Sequence, residues 1–301
     1  MRANRDRTSA QRSADGANRL SVVTVAMRPD HDPLKSRIRL CELIDRVKAE
    51  HPDVRLIHFG EAILGWFNRA TRDESIAYHR EIGETVPGPT TVRLGEIARS
   101  HNVFISFGLT EQDEEKVFNT QVLINPNGEI IAKHRKFWLR TPYFEPAERR
   151  LTLADVDGAR LAIVICADVR SFWLMRAIRK ARVDIVLASL ADTGTDVSLN
   201  RMMGSFYDAW SVVANRYGKE PHNDWQGLIT ITDRWGRLRA HGIGMEQFLH
   251  FEIPLGRTGS ALRRLRRILV FGRLVGLALA FVLRPVVVAV ARRMGRRSAG
   301  R

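Results

Sequence analysis

Leu161-Ala162-Ile163-Val164-Ile165-Cys166-Ala167-Asp168 decides how the rest of the chain is read. Five apolar residues run without a break into a cysteine, with a carboxylate two places on. Such a run reads as a buried strand. A thiol at its end would sit at the rim of a sheet, where α/β enzymes place their chemistry. The basic, helix-like segment Phe172–Lys180 follows. Strand, sharp turn and helix is the arrangement that exposes a nucleophile. Alone the stretch has a second reading, a small buried hydrophobe, because free cysteine is among the most buried residue types.

Working outward, strands and helices alternate. Leu20–Met27 reads as a strand, and Asp32-Pro33 opens a helix running to about Glu50, proline suiting the first turn. Val54–Phe59 is a second strand, ending in Gly60-Glu61. Asp73–Glu84 looks helical, Pro87-Gly88-Pro89 breaks it, and Thr90 or Thr91 is the expected cap of the next helix, to Ser100. Val103–Gly108 is a third strand. Val117–Ile124 and Glu129–Lys136 flank Asn125-Pro126-Asn127-Gly128, a hairpin signal. Beyond Cys166 come a strand over Val183–Ala188, a helix over about Asn200–Trp210 and a strand over Ser211–Asn215. A second hairpin joins Leu228–Thr232 to Leu238–His241. The pattern predicts a layered α/β fold with a mixed sheet or paired sheets.

The chain has 301 residues, enough for one large domain with a substantial core. Two cysteines make no disulfide framework. Cys41 is expected in the core, on a helix face with Leu34, Ile38 and Ile44, and a reducing compartment follows as the simple assumption. The net charge of +15 is unevenly placed. Residues 261–301 hold eleven arginines and no acid, residues 1–20 hold five arginines and two aspartates, and the body between carries about +1. The basicity therefore belongs to two tails and not to a nucleic-acid-binding face. Residues 1–18 read as a disordered basic leader without the apolar core of a signal peptide.

Residues 268–291 are apolar except for Arg273 and Arg284. The longest charge-free run, Leu274–Leu283, is too short to cross a bilayer core of about 30 Å. Arg266, Arg273 and Arg284 share one helical face. Three fates stay open for this tail: a helix lying in a membrane interface, a tilted span, or an arm packed on the body or on a partner copy.

Three further residues invite chemistry. Glu61 ends a buried strand. Alternation puts Ile130, Ala132, His134 and Lys136 on one face and Ile131, Lys133 and Arg135 on the other, so Lys136 shares a face with apolar residues. Glu145 lies in the loop Thr141–Glu148, with Glu148 an equal candidate on composition. Each alone reads more readily as an ordinary solvated charge. Together they supply a thiol, a base for it and a cation for an oxyanion, without a histidine.

The sequence resembles the carbon–nitrogen hydrolase (nitrilase) superfamily over roughly residues 20–245. The matching pieces, in that family's order, are Ile57–Glu61 with Gly65-Trp66, Val86–Thr90, Gly108, Asn119-Thr120, Gly128–Lys136, Ile165–Arg170 and Ala214–Gly218. The resemblance implies a four-layer αββα sandwich, commonly paired as a homodimer; the domain is placed at 19–256, and the basic apolar tail at 257–301 is read as helical from its own residues. It implies a Glu61–Lys136–Cys166 triad, with Glu145 as the second glutamate. Cys-x-Asp is closer to the amidase branches than to true nitrilases. Departures are Gly60 in place of proline, Ala167 in place of an aromatic, Ser171-Phe172-Trp173 for Phe-Pro-Glu, and Phe206–Trp210 for the Arg-Ala-x-Glu-Asn segment, so the pocket is reshaped.

The expected reaction is hydrolysis of a small-molecule amide through a cysteine thioester, with no cofactor, no metal and no nucleic acid. An N-acyltransferase using the same thioester and a non-catalytic binding protein of this fold are the alternatives. The expected location is cytoplasmic, with membrane contact through residues 261–301.

Overall fold

The computed structural model describes residues 18–256. The expectations for the leader and for the C-terminal tail, its helix included, lie outside these residues. No helix among the described residues is long and apolar enough to cross a membrane.

The backbone of the fold is β1 (Arg19–Met27), whose last eight residues are all buried. Such continuous burial, with only Ser21 and Thr24 among the apolar residues, belongs to a strand covered on both faces. On one edge β1 pairs in parallel with β2 (Leu56–His58), which pairs in parallel with β3 (Phe104–Asp113). Antiparallel β4 (Lys116–Ile124) and β5 (Ile130–Arg135) complete that half. On its other edge β13 (Gln247–Pro254) runs antiparallel, Arg19 opposite Pro254 to Ala26 opposite Gln247. At the last two residues of β1 the edge passes to β9 (Trp210–Glu220), with Ala26 opposite Asn215 and Met27 opposite Arg216. From β9 the second half continues through β8 (Ile185–Ser189), β7 (Ala159–Ile165) and β6 (Thr152–Val156). Short strands β10 (Asn223–Gln226) and β11 (Ile229–Thr232) pair with β9, and β12 (Leu238–Gly242) pairs with β11.

Three apolar clusters define four layers. Alternation sends Val22, Leu56 and Phe104 to one face of the first half, where they meet Leu161, Ile163, Leu187 and Val212 of the second. Their neighbours Val23, Ile57 and Ile105 face outward and are covered by α1 (Pro33–Glu50) and α3 (Pro89–His101). On the far side Val164, Val186 and Val213 are covered by α4 (Phe172–Ala181) and α5 (Ser198–Tyr207). The remaining helix, α2 (Arg72–Glu81), follows the loop that carries Glu61. Helix, sheet, sheet, helix is the expected sandwich.

Local chemistry explains most boundaries. The Asp32 carboxylate accepts the Leu34 amide at 2.9 Å and caps α1 ahead of Pro33. The cap of α3 is Gly88 and not Thr90 or Thr91. Thr91 Oγ1 instead accepts from the Gly88 amide at 2.7 Å, the back-reaching half of a capping box. The face of α1 is also corrected. Leu34 and Ile38 are each 51% exposed, while Leu40, Leu43, Ile44 and Val47 pack on the sheet. Cys41 is half-buried at the edge of that cluster, and both cysteines are free.

Candidate active site

Three chain segments converge where the strands of the two halves end. Glu61 lies three residues past β2, fully buried. Its Oε1 accepts from Lys136 Nζ at 2.6 Å and from Asn119 Nδ2 at 2.7 Å. Its Oε2 accepts the Ala191 amide at 2.9 Å. Lys136 follows β5 and is 4% exposed. The alternation along β5 places it there: Ala132, His134 and Lys136 point inward, whereas Lys133 and Arg135 pair with Glu111. Burial pulls the ammonium down most strongly, but the charge and hydrogen bond of Glu61 and the neighbouring Cys166 and Asp168 together outweigh it and hold Lys136 above its ordinary value.

Cys166 stands at the end of β7 with φ of 41°, in the left-handed region that a side-chain-bearing residue enters at a cost. The five residues Cys166–Arg170 form a 3-10 turn that reverses the chain into α4. The thiol points to the Ala191 carbonyl at 3.9 Å, so Ala191, whose backbone amide binds Glu61, receives the sulfur at its carbonyl. Burial, then the negative charge of Glu61, push the thiol up to about 12, against the pull of Lys136. The resting sulfur is therefore a neutral thiol beside an acceptor and a cation.

Asp168 fixes the turn. It is fully buried; its Oδ1 accepts the Trp138 amide at 2.8 Å, and its Oδ2 lies 3.2 Å from His134 Nε2. His134 is on β5 and Trp138 is two residues beyond Lys136, so the carboxylate ties the cysteine turn to the segment that carries the lysine. Glu145 is placed differently. Its neighbour Phe144 is buried in a cluster with Phe67 and Trp225, which turns Glu145 outward. Its carboxylate is exposed and makes no hydrogen bond or ion pair with a described residue, and Glu148 is exposed as well. The structure pairs Glu61 with Lys136, sets Cys166 against the Ala191 backbone that also binds Glu61, and leaves Glu145 outside these hydrogen bonds.

Two contributions were not assigned from the sequence. Asn119 holds Glu61 directly. Arg216, fully buried, clamps the loop behind Glu61: its Nη1 donates to the carbonyls of Glu61 at 3.2 Å and of Ala62, and its Nη2 donates to the Gly65 carbonyl at 2.7 Å and to Glu220. Glu220 Oε2 in turn accepts the Phe67 and Asn68 amides at 2.8 and 3.1 Å. A charged residue inside the apolar strand over Ser211–Asn215 and its extension was the signal available. Gly60 belongs to the same close approach, since a Cβ there would lie 2.9 Å from the Asn215 backbone. We expect Arg216→Met to lose about 3–5 kcal/mol in chemical denaturation, because Glu220 and three carbonyls lose a buried partner. A variant as stable as wild type would show that the clamp contributes nothing.

A cavity of about 50 Å³ opens at Cys166, bordered by Arg140, Arg170, Leu199 and Asn200 among others. Among the described residues no group of three or more His, Cys, Asp or Glu side chains could hold a metal ion.

Solved structures share this architecture. Saccharomyces cerevisiae Nit3, a member of branch 10 of the nitrilase superfamily, superposes with a TM-score of 0.71 at 20% identity, over 78% of this chain and 90% of that one. An amidase from Nesterenkonia sp. gives 0.67 at 18% identity over 78% and 90%. The fold is that of the nitrilase superfamily. The chain belongs to the carbon-nitrogen hydrolase family, whose model matches residues 21–260. A formamidase from Bacillus cereus (strain Q1) is 29% identical over 196 residues, 63% of this chain and 56% of the formamidase. The chain thus spans about half the length of the curated relatives it matches.

Proposed function

We propose that the protein hydrolyses a small-molecule amide through a thioester on Cys166, with Glu61, Lys136 and Cys166 as a catalytic triad. The observation that carries this reading is the buried Glu61–Lys136 contact at 2.6 Å, with Glu61 and the thiol both held on Ala191. Glu61 takes the thiol proton as sulfur attacks the amide carbonyl and the C–S bond forms. Lys136 and the backbone N–H of Ala167 receive the developing oxyanion. Glu61 passes the proton to the leaving nitrogen as the C–N bond breaks. It then takes a proton from water, whose oxygen displaces the thiol to give the acid. Glu145 has no part in these steps unless substrate draws it inward.

Amide chemistry is supported by the formamidase relatives and by a variant of the Nesterenkonia amidase that shows covalent addition of the acetamide moiety of fluoroacetamide at its active-site cysteine. The test is intact-protein and peptide mass spectrometry after exposure to fluoroacetamide and to a panel of short amides. A mass increase on the Cys166 peptide, with free acid as product, is expected. Modification confined to Cys41, or an N-substituted amide as the product when an amine is present, would overturn hydrolysis at Cys166. We further propose homodimer formation and lipid contact through residues 261–301, the latter from the basic and apolar composition of that segment. Sedimentation of the full chain as a monomer would remove the first, and failure to pellet with anionic vesicles the second.

A further inference from the structure

A second cavity, about 250 Å³, lies beside the one at Cys166 and shares Leu190, Asp192, Leu199 and Asn200 with it. Its volume is near the low end of the ~300–1,000 Å³ typical of small-molecule sites. Leu190, Leu199 and Leu228 supply apolar walls, and Asp192 and Asp196 supply carboxylates. No lysine, arginine or histidine lines it. Each carboxylate spends one oxygen locally: Asp192 Oδ1 accepts the Gly194 amide at 3.0 Å, and Asp196 Oδ1 accepts the Ser198 amide at 2.8 Å. Neither has a cationic partner among the described residues. Hydrogen bonding from Ser198, its side chain first and its amide second, holds the exposed Asp196 carboxyl below its ordinary value, so it is charged at neutral pH.

Asn200 is the independent sign of a ligand. It is 3% exposed and borders both cavities, yet its carboxamide makes no hydrogen bond with any described residue. With the residue buried and no protein partner taken, the carboxamide stays accessible to bond an occupant of the cavity it lines. Asn215, on the same cavity, shows the contrast: its carboxamide accepts from the Asp192 and Arg216 amides and donates to the Asp192 and Leu228 carbonyls.

Resting on the amidase reading above, we propose that this cavity is the subsite for the far end of the substrate, and that it takes a short alkyl chain ending in an ammonium group. The scissile amide then sits at Cys166, the methylenes lie along the leucines, the ammonium meets Asp192 and Asp196, and Asn200 receives a polar group along the chain. The charges couple the subsite to the chemistry. Asp192 is one of the groups that oppose ionisation of Cys166, and an ammonium against Asp192 offsets that opposition when substrate is bound. Arg140 and Arg170 border the smaller cavity only, so an amide bearing a carboxylate is the competing ligand.

Calorimetric titration of full-length Cys166→Ala with 5-aminopentanamide, pentanamide and 4-carboxybutanamide separates these cases. We expect the ammonium-bearing amide to bind about 10-fold or more tightly than pentanamide, the scale of a hydrogen bond to a charged group. The advantage should shrink with salt and vanish in Cys166→Ala/Asp196→Asn. Asparagine keeps an acceptor for the Ser198 amide, so the loop has no reason to unfold. Equal binding of all three amides, or tightest binding of the carboxylate, overturns the proposal. Turnover by the wild-type enzyme is read separately. Binding in the expected order with no hydrolysis sinks the amidase reading and leaves the subsite standing. Hydrolysis without the order does the reverse.

Discussion

Cys166→Ala is expected to lower amide turnover by roughly 10⁴-fold or more while the protein stays folded. Removing a nucleophile from a unit that acts together leaves only residual catalysis by the remaining groups. The fold is expected to tolerate the change because the thiol makes one long contact, 3.9 Å to the Ala191 carbonyl, and alanine meets the same backbone cost at φ of 41°. Steady-state rates, with a thermal melt as the control for folding, decide the matter; undiminished turnover in a folded variant would sink the assignment. The thiol also predicts a pH signature. Its folded value, pushed up to about 12 by burial first and Glu61 second, lies above the unfolded value near 9.0. The folded state keeps a proton that the unfolded chain has already lost. The contribution is present below about pH 9 and is lost as pH rises toward 12. Wild type should therefore lose stability relative to Cys166→Ala across that window, and parallel pH profiles would contradict the raised value.

Lys136→Met should reduce kcat by about 10²-fold or more, the scale of a lost oxyanion donor. It should also cost about 3–5 kcal/mol of stability, because Glu61 is left buried without its cation. Lys133→Met is the matched control. Lys133 pairs with Glu111, which keeps two contacts from Arg135 when the lysine is removed, so kcat should be unchanged. The opposite pattern, with Lys133→Met damaging and Lys136→Met silent, would mean that the ammonium at Glu61 plays no part in the reaction.

The contrast between these two lysines shows how far the sequence reaches. Period-two alternation fixes which side chains of β5 share a face, and the apolar Ala132 marks that face as the inner one. Mostly apolar runs likewise marked β1, β7 and β8, and Asn125–Gly128 marked the β4–β5 turn. β6 and β13 were missed; both are only partly buried in the fold, although Leu249, Phe251 and Ile253 of β13 alternate with His250 and Glu252. Leu34 and Ile38 misled because helical periodicity reports apolar spacing, not which arc meets the sheet.

What the sequence by itself determined is the set of local choices: strands, caps, the hairpin and the residue types of the site. The order of the motifs identified the family they resemble. What only the tertiary structure decided is everything that depends on distant segments arriving together. Glu61, Asn119, Lys136 and Ala191 are spread over 130 residues of chain and meet at one carboxylate. Arg216 finds the Glu61 loop 155 residues away because the end of β1 pairs with β9 at that point. Glu145 is turned outward by the burial of Phe144, an energy balance that no motif records. A buried charge is stable only where its partners converge, and convergence is a property of the packed chain, not of the spacing along it.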